Sequence, residues 1–144
     1  PSWSSAASDV YKRQQEDIDK VINFWGLLGS SSKILSYEDH DFLFSKTSHL
    51  PHVISYSLTD SLFKSLGERT FDFSGGSLED YTRIASSDPL MWKDILISNH
   101  QNILDSIEDF EESLASLKNL IKNKDEKALV DYFNKVKILR DNSV

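Results

Sequence analysis

The sequence predicts a mainly α-helical protein: a helical domain preceded by a short helix–strand segment of different character. Three observations predict it. Ile103, Ile107, Phe110, Leu114, Leu117 and Ile121 recur at alternating steps of four and three, the narrow seam of a helix packed lengthwise on another helix. Helix-start signals recur along the chain at Ser36/Asp39, Ser77/Asp80 and Asp88-Pro89. Against these stands one short strand candidate, Lys33-Ile34-Leu35-Ser36, weak on its own.

The elements follow in order. Pro1 to Gln14 has little apolar periodicity. Asp9 to Gln14 fits a translation of GAT GTG TAT AAG AGA CAG, a sequencing-library adapter, so residues 1–14 are expected to be a disordered fusion scar on the translated tail of a longer gene, the plainer reading being a natural flexible N-terminal arm. Ile18, Val21, Ile22, Trp25 and Leu28 have helical spacing, with Gly29 as the stop. The serines at 30–32 link this helix to the strand candidate. A helix should then run from about Glu38 to Leu66, with Gly67 after it. Pro51 falls inside it, removes the bond to the Thr47 carbonyl and predicts a kink. Glu68 to Gly76 reads as a loop, and Leu78 to about Ser86 as a short helix capped by Ser77. One long helix is expected from Pro89 to about Asn123. A last amphipathic helix spans Asp125 to Arg140, with Ala128, Leu129, Tyr132, Phe133, Val136 and Leu139 inward.

Composition narrows the function classes. The 144 residues suffice for one domain with a core, and 39% hydrophobic content is too high for a compositionally disordered chain. A net charge of -7 argues against nucleic acid or an anionic membrane as partner. The absence of cysteine excludes disulfides, thiolate catalysis and cysteine metal sites. No apolar run approaches the roughly 20 residues that span a bilayer. Cytoplasm is the simplest compartment.

Two segments concentrate chemistry. Ser48-His49-Leu50-Pro51-His52 puts two imidazoles three residues apart on one helix face, beside Ser45 and Ser48. Gly75-Gly76 and the stretch from Asp80 to Trp92 add a guanidinium at Arg83. Imidazoles titrate near neutral pH and a guanidinium clamps a carboxylate with two parallel bonds, so the set suits an anionic small molecule. Each residue also has a plainer reading. The histidines can be partly buried and satisfied by backbone or serine, which is the favoured reading on the residues alone. Arg83 can form a surface ion pair with Asp80, worth about 0–1 kcal/mol; in the functional reading Asp80 orients a partly buried Arg83. Trp92 reads equally as core. His40-Asp41 resembles part of a metal-dependent phosphohydrolase signature, but the further ligands that signature needs are not evident, and no metal site is expected.

Glu38-Asp39-His40-Asp41, then Ser48-His49-Leu50-Pro51-His52, a glycine turn, and Thr82-Arg83-Ile84-Ala85-Ser86-Ser87-Asp88-Pro89-Leu90-Met91-Trp92 together resemble the C-terminal part of prephenate dehydrogenase. That family includes the arogenate and cyclohexadienyl dehydrogenases of tyrosine biosynthesis. The resemblance runs in order from about Gln15 to about Arg140, and it reverses the odds on the histidines. It implies that residues 15–36 are the tail of a nucleotide-binding domain and 37–144 a helical substrate-binding and dimerisation domain. It implies an oxidoreductase that oxidatively decarboxylates prephenate or arogenate with NAD or NADP, the cofactor held mainly by an N-terminal domain that also carries the catalytic histidine. The substrate-binding residues it implies here are His49, His52, Gly76, Asp80, Arg83 and Trp92, in a homodimer, with the fragment alone inactive. One departure concerns the substrate: Ser77, Leu78 and Glu79 stand where the family has glycine, phenylalanine and a basic residue. An inward Glu79 would weaken binding of a dianion, or favour the ammonium group of arogenate. Two other readings remain: a stand-alone helical dimerisation or ligand-sensing module without catalysis, and, more remotely, a metal hydrolase built on His40, Asp41, His49 and His52.

Overall fold

A computed structural model describes residues 15–143; the adapter-like segment at 1–14 lies outside them. The chain divides into two compact units, residues 1–102 and 103–144.

The first unit opens with α1 (Gln15–Leu27). Gly29 ends it at φ 80°, a left-handed conformation that costs glycine little. The Ser30 N–H bonds the Trp25 carbonyl and the Gly29 N–H bonds the Gly26 carbonyl, the paired bonds of a Schellman motif. Residues 31–36 form no strand, contrary to the expectation for Lys33–Ser36. A strand is held by ladder bonds to a neighbour, and no other strand exists among the described residues.

Ser36 then caps α2 (Tyr37–Phe44), its hydroxyl accepting the Asp39 N–H at 3.0 Å, as the spacing predicts. α2 passes through a π-helical turn (Ser45–His49) into α3 (Leu50–Leu66). The disturbance expected at Pro51 therefore takes the form of a widened turn just ahead of it. The Leu50 N–H reaches back five residues to the Ser45 carbonyl. That widening accommodates a residue with no N–H and a ring that crowds the Thr47 carbonyl. Hydroxyls serve carbonyls nearby: Ser45 Oγ donates to Phe42 O at 2.7 Å and Thr47 Oγ1 to Leu43 O at 2.9 Å.

Gly67, at φ 61°, ends α3 and opens a 3-10 turn (Gly67–Phe71), so the expected loop is partly helical. α4 (Gly76–Arg83) begins at Gly75 rather than Ser77, and a second 3-10 turn (Ile84–Ser86) follows. α3 packs against the π turn, both 3-10 turns and α4, which makes it the spine of this unit. Asp88 caps α5 (Pro89–Ser98), accepting the N–H groups of Leu90 and Met91 at 2.8 and 2.9 Å with Pro89 at the helix start, as expected. The Tyr56 hydroxyl donates to the Ser87 carbonyl at 3.1 Å and ties α3 to the start of α5.

The expected single helix from Pro89 to Asn123 is two helices. It breaks at Asn99 (φ −112°, ψ 28°), and α6 (His100–Asn123) begins anew. The break has a tertiary cause: the Asn99 side chain is buried and donates to the Asp41 carbonyl at 2.8 Å, 58 residues away.

The second unit holds the rest of α6 and α7 (Glu126–Asp141). Lys124 turns the chain at φ 53° and Asp125 caps α7 by accepting the Ala128 N–H. Of the face expected to lie inward, Ala128, Leu129 and Tyr132 are half-buried, but Phe133, Val136 and Leu139 are exposed. The stripe is real in the sequence, but none of the described residues covers its C-terminal half.

Candidate functional site

His49 ends the π turn and His52 lies in the first turn of α3, so the widened turn and Pro51 together set where both rings project. His52 Nδ1 lies 3.0 Å from the Ser48 carbonyl. A carbonyl only accepts, so Nδ1 carries the proton and Nε2 is the ring atom left for a ligand. Trp92, set by the Asp88 cap in the first turn of α5, stacks on His52 with ring centroids 3.7 Å apart and planes at 23°. It meets His49 edge-on at 6.1 Å and 80°. Trp92 is 6% exposed and its indole Nε1 has no hydrogen-bond partner, as is true of Ser55 Oγ one turn beyond His52. A buried donor without a protein partner costs about 1–3 kcal/mol, so such atoms are uncommon.

His49 is half-buried, and Asn99 Nδ2 sits 3.3 Å from its Nδ1. Asn99 is 6% exposed and its Oδ1 accepts from Asn102 Nδ2 at 2.8 Å. The His49 pKa lies below the ordinary histidine value, chiefly because burial penalises the charged ring. The Asp41 carboxylate opposes the shift; His40 and His52 add to it.

The other expected residues lie elsewhere. Asp80 and Arg83 line an open cleft of about 560 Å³ with Thr59, Phe63, Phe71 and Glu79; neither histidine nor Trp92 lines it. Arg83 is exposed rather than partly buried, and it makes no ion pair with Asp80. Both the surface-pair reading and the reading in which Asp80 orients Arg83 are thereby corrected: i,i+3 spacing permits a contact without enforcing it, and water solvates both charges. Gly76 is exposed at the start of α4, and a side chain there would meet nothing within 4 Å, so no contact within the chain demands glycine. Glu79 lines the same cleft and accepts from Ser74 Oγ at 3.3 Å. His40 pairs with Asp41 at 3.0 Å and stacks on Phe44; among the described residues no three metal-ligating side chains converge.

Sequence reasoning missed Asn99 and Ser55. Asn99 left one trace, an asparagine of low helix propensity inside an apolar-periodic run. Ser55 left none.

A family model described as the dimerization domain of prephenate dehydrogenase matches residues 36–135. The chain is 33% identical over 116 residues to the cyclohexadienyl dehydrogenase of Zymomonas mobilis, an alignment covering 78% of this chain and 40% of that protein. It is 36% identical over 109 residues to the prephenate dehydrogenase of Bacillus subtilis, covering 74% of this chain and 29% of that one. The crystal structure of prephenate dehydrogenase from Aquifex aeolicus in complex with hydroxyphenyl propionate and NAD+ superimposes with a TM-score of 0.81 at 39% identity, over 91% of this chain and 46% of that one. Synechocystis arogenate dehydrogenase shares the fold, with a TM-score of 0.76 at 21% identity over 91% of this chain and 49% of that one. The chain thus spans less than half the length of the proteins it resembles.

Proposed function

Because the chain belongs to the prephenate dehydrogenase family through its dimerization domain, we propose that it is the substrate-binding and dimerising C-terminal part of a prephenate or arogenate dehydrogenase, a cytoplasmic oxidoreductase of tyrosine biosynthesis. Residues 37–144 form that part, and 15–36 are the tail of a nucleotide-binding domain. The exposure of Phe24, Leu27 and Ile34 suits a segment that packs on further protein.

The observation that carries the proposal is the His49–His52–Trp92 cluster. Both rings keep Nε2 free of any hydrogen bond among the described residues, against an aromatic wall whose own N–H is unspent. Such a site hydrogen-bonds the oxygens of a ring-shaped acid and shields one face from water. His49 and His52 bind substrate oxygens there, and Trp92 packs on the ring. Arg83, which forms no ion pair among the described residues, clamps a substrate carboxylate, with Gly76 and Asp80 beside it. Glu79 in the same cleft favours arogenate, whose ammonium it can pair.

The cofactor is NAD or NADP; the Aquifex enzyme was crystallised with NAD+. The five glycines of this chain, Gly26, Gly29, Gly67, Gly75 and Gly76, cannot form G-x-G-x-x-G, so its residues do not fit the pyrophosphate, and holding the cofactor falls to an upstream domain. Held there, the nicotinamide would supply the hydride acceptor for loss of the ring carboxylate as carbon dioxide. The working unit is a homodimer: Val130, Phe133, Val136 and Leu139 leave an apolar stripe on α7 that a second copy covers.

The test is the DNA upstream of Gln15. We expect a continuous reading frame encoding G-x-G-x-x-G, and a full-length product that reduces NAD or NADP with prephenate or arogenate. A natural start codon near Gln15, or a full-length product inert with both substrates and both cofactors, would favour the non-catalytic module.

A further inference from the structure

We propose that Asn99 is a positioning residue that holds the His49 imidazole in the tautomer with its proton on Nε2, so that His49 meets a ligand as a hydrogen-bond donor.

The bonding pattern dictates this. Asn99 could present either its nitrogen or its oxygen to His49, and its contact with Asp41 decides which. The Asp41 carbonyl, 2.8 Å from one end of the amide, only accepts, so that end is the NH2 group. At the other end Asn99 Oδ1 accepts the Asn102 amide at 2.8 Å, a contact compatible with that orientation, since an amide partner can turn to match either end. One N–H of Asn99 Nδ2 is spent on Asp41, and the other faces His49 Nδ1 at 3.3 Å. A ring nitrogen facing a donor must carry the lone pair, so the neutral ring bears its proton on Nε2. Protonation at Nδ1 would set two donors against each other, so the same contact resists charging of the ring. Burial acts in the same direction; among the described residues Asp41 favours the cation, while His40 and His52 oppose it.

His52 is fixed in the opposite sense, its Nδ1–H committed to the Ser48 carbonyl. The neutral site therefore presents one donor, His49 Nε2–H, and one acceptor, His52 Nε2. Such a pair matches a hydroxyl, which both accepts and donates. The break between α5 and α6 serves this arrangement, since continued helical geometry at Asn99 would carry its side chain elsewhere. That the donor faces a substrate rests on the function proposed above; the tautomer does not.

The test uses the 144-residue chain with 15N-labelled histidine. Long-range 1H–15N correlations followed through a pH titration distinguish the four histidines and the two tautomers, with a His49→Gln variant supplying the assignment. We expect neutral His49 to show a protonated Nε2 and a bare Nδ1, with a midpoint below the ordinary histidine value. In Asn99→Asp the carboxylate accepts from Nδ1, so the tautomer should invert and the midpoint rise. A wild-type spectrum showing Nδ1–H, or the averaged shifts of a freely exchanging ring, overturns the proposal, and so does an Asn99→Asp variant with unchanged His49 signals. If Asn99→Asp does not fold, the wild-type spectrum decides alone. In the full-length enzyme, Asn99→Asp should lower kcat/KM for substrate at least about tenfold and leave the cofactor KM unchanged. An inverted tautomer with unchanged kcat/KM would overturn the role in substrate binding, whereas a wild-type enzyme inert with both substrates would overturn the proposed function and leave the tautomer standing.

Discussion

Replacing Trp92 separates what the indole contributes by its bulk from what its N–H contributes. Trp92 is 6% exposed. A buried aromatic of this size removes about 150–250 Å² from water, which at about 25 cal/mol/Å² is about 4–6 kcal/mol. The unfolded chain already hides part of that area, so Trp92→Ala should cost about 3–5 kcal/mol, including the lost stack on His52. Trp92→Phe is the informative change. It keeps an aromatic face against His52, forfeits about 1–2 kcal/mol of area, and removes a buried N–H that has no partner. Relief of that orphan donor is worth about 1–3 kcal/mol, so the net change should lie between a loss of about 1 and a gain of about 2 kcal/mol. Urea unfolding followed by far-UV circular dichroism measures both variants at one protein concentration. Fluorescence is unsuitable because Trp3 and Trp25 also report. With a slope of about 2 kcal/mol/M, the alanine midpoint should fall by about 1.5–2.5 M and the phenylalanine midpoint by less than about 0.5 M. A phenylalanine variant as unstable as the alanine one would show that Nε1 is satisfied in the folded protein.

Other outcomes follow from the same structure. In a full-length enzyme, Arg83→Ala should raise the substrate KM about thirty- to a thousandfold through loss of about 2–4 kcal/mol of charge-assisted binding, with the cofactor KM unchanged; a substrate KM within about twofold of wild type would leave Arg83 a solvated surface cation. His49 has its folded pKa lowered by burial, so the unfolded state takes up its proton first as pH falls; its contribution to stability is complete above the ordinary value near 6.5 and is lost as pH falls through the folded value. Urea midpoints should therefore decline more steeply with acid below about pH 6.5 in the wild type than in His49→Gln, and parallel declines would contradict the assignment. Light scattering should give a dimer mass at roughly tens of micromolar, and Phe133→Glu should shift it to monomer; a wild-type monomer would count against an interface on α7. The purified 144-residue chain should not turn over prephenate with NAD, and measurable turnover free of host enzyme would show that the upstream domain is dispensable.

The sequence by itself determined what depends on neighbours along the chain. Ser36, Asp88 and Asp125 act on N–H groups two or three residues away, so the starts of α2, α5 and α7 are legible as spacing. Gly29 and Gly67 stop helices by backbone freedom alone. The helical class and the family follow from such local signals and from the order of the motifs. What only the tertiary structure decided involves groups far apart in sequence. The break at Asn99 exists because its amide bonds a carbonyl 58 residues away, which no period or cap encodes. The stack of Trp92 on His52 needs α5 laid against α3, and the isolation of Arg83 from Asp80 was decided by solvent, where i,i+3 spacing left pairing equally open. Local sequence sets which bonds are cheap. Burial and the remote partner set which of them form, and that is why the helices were legible while the orientation of the His49 ring was not.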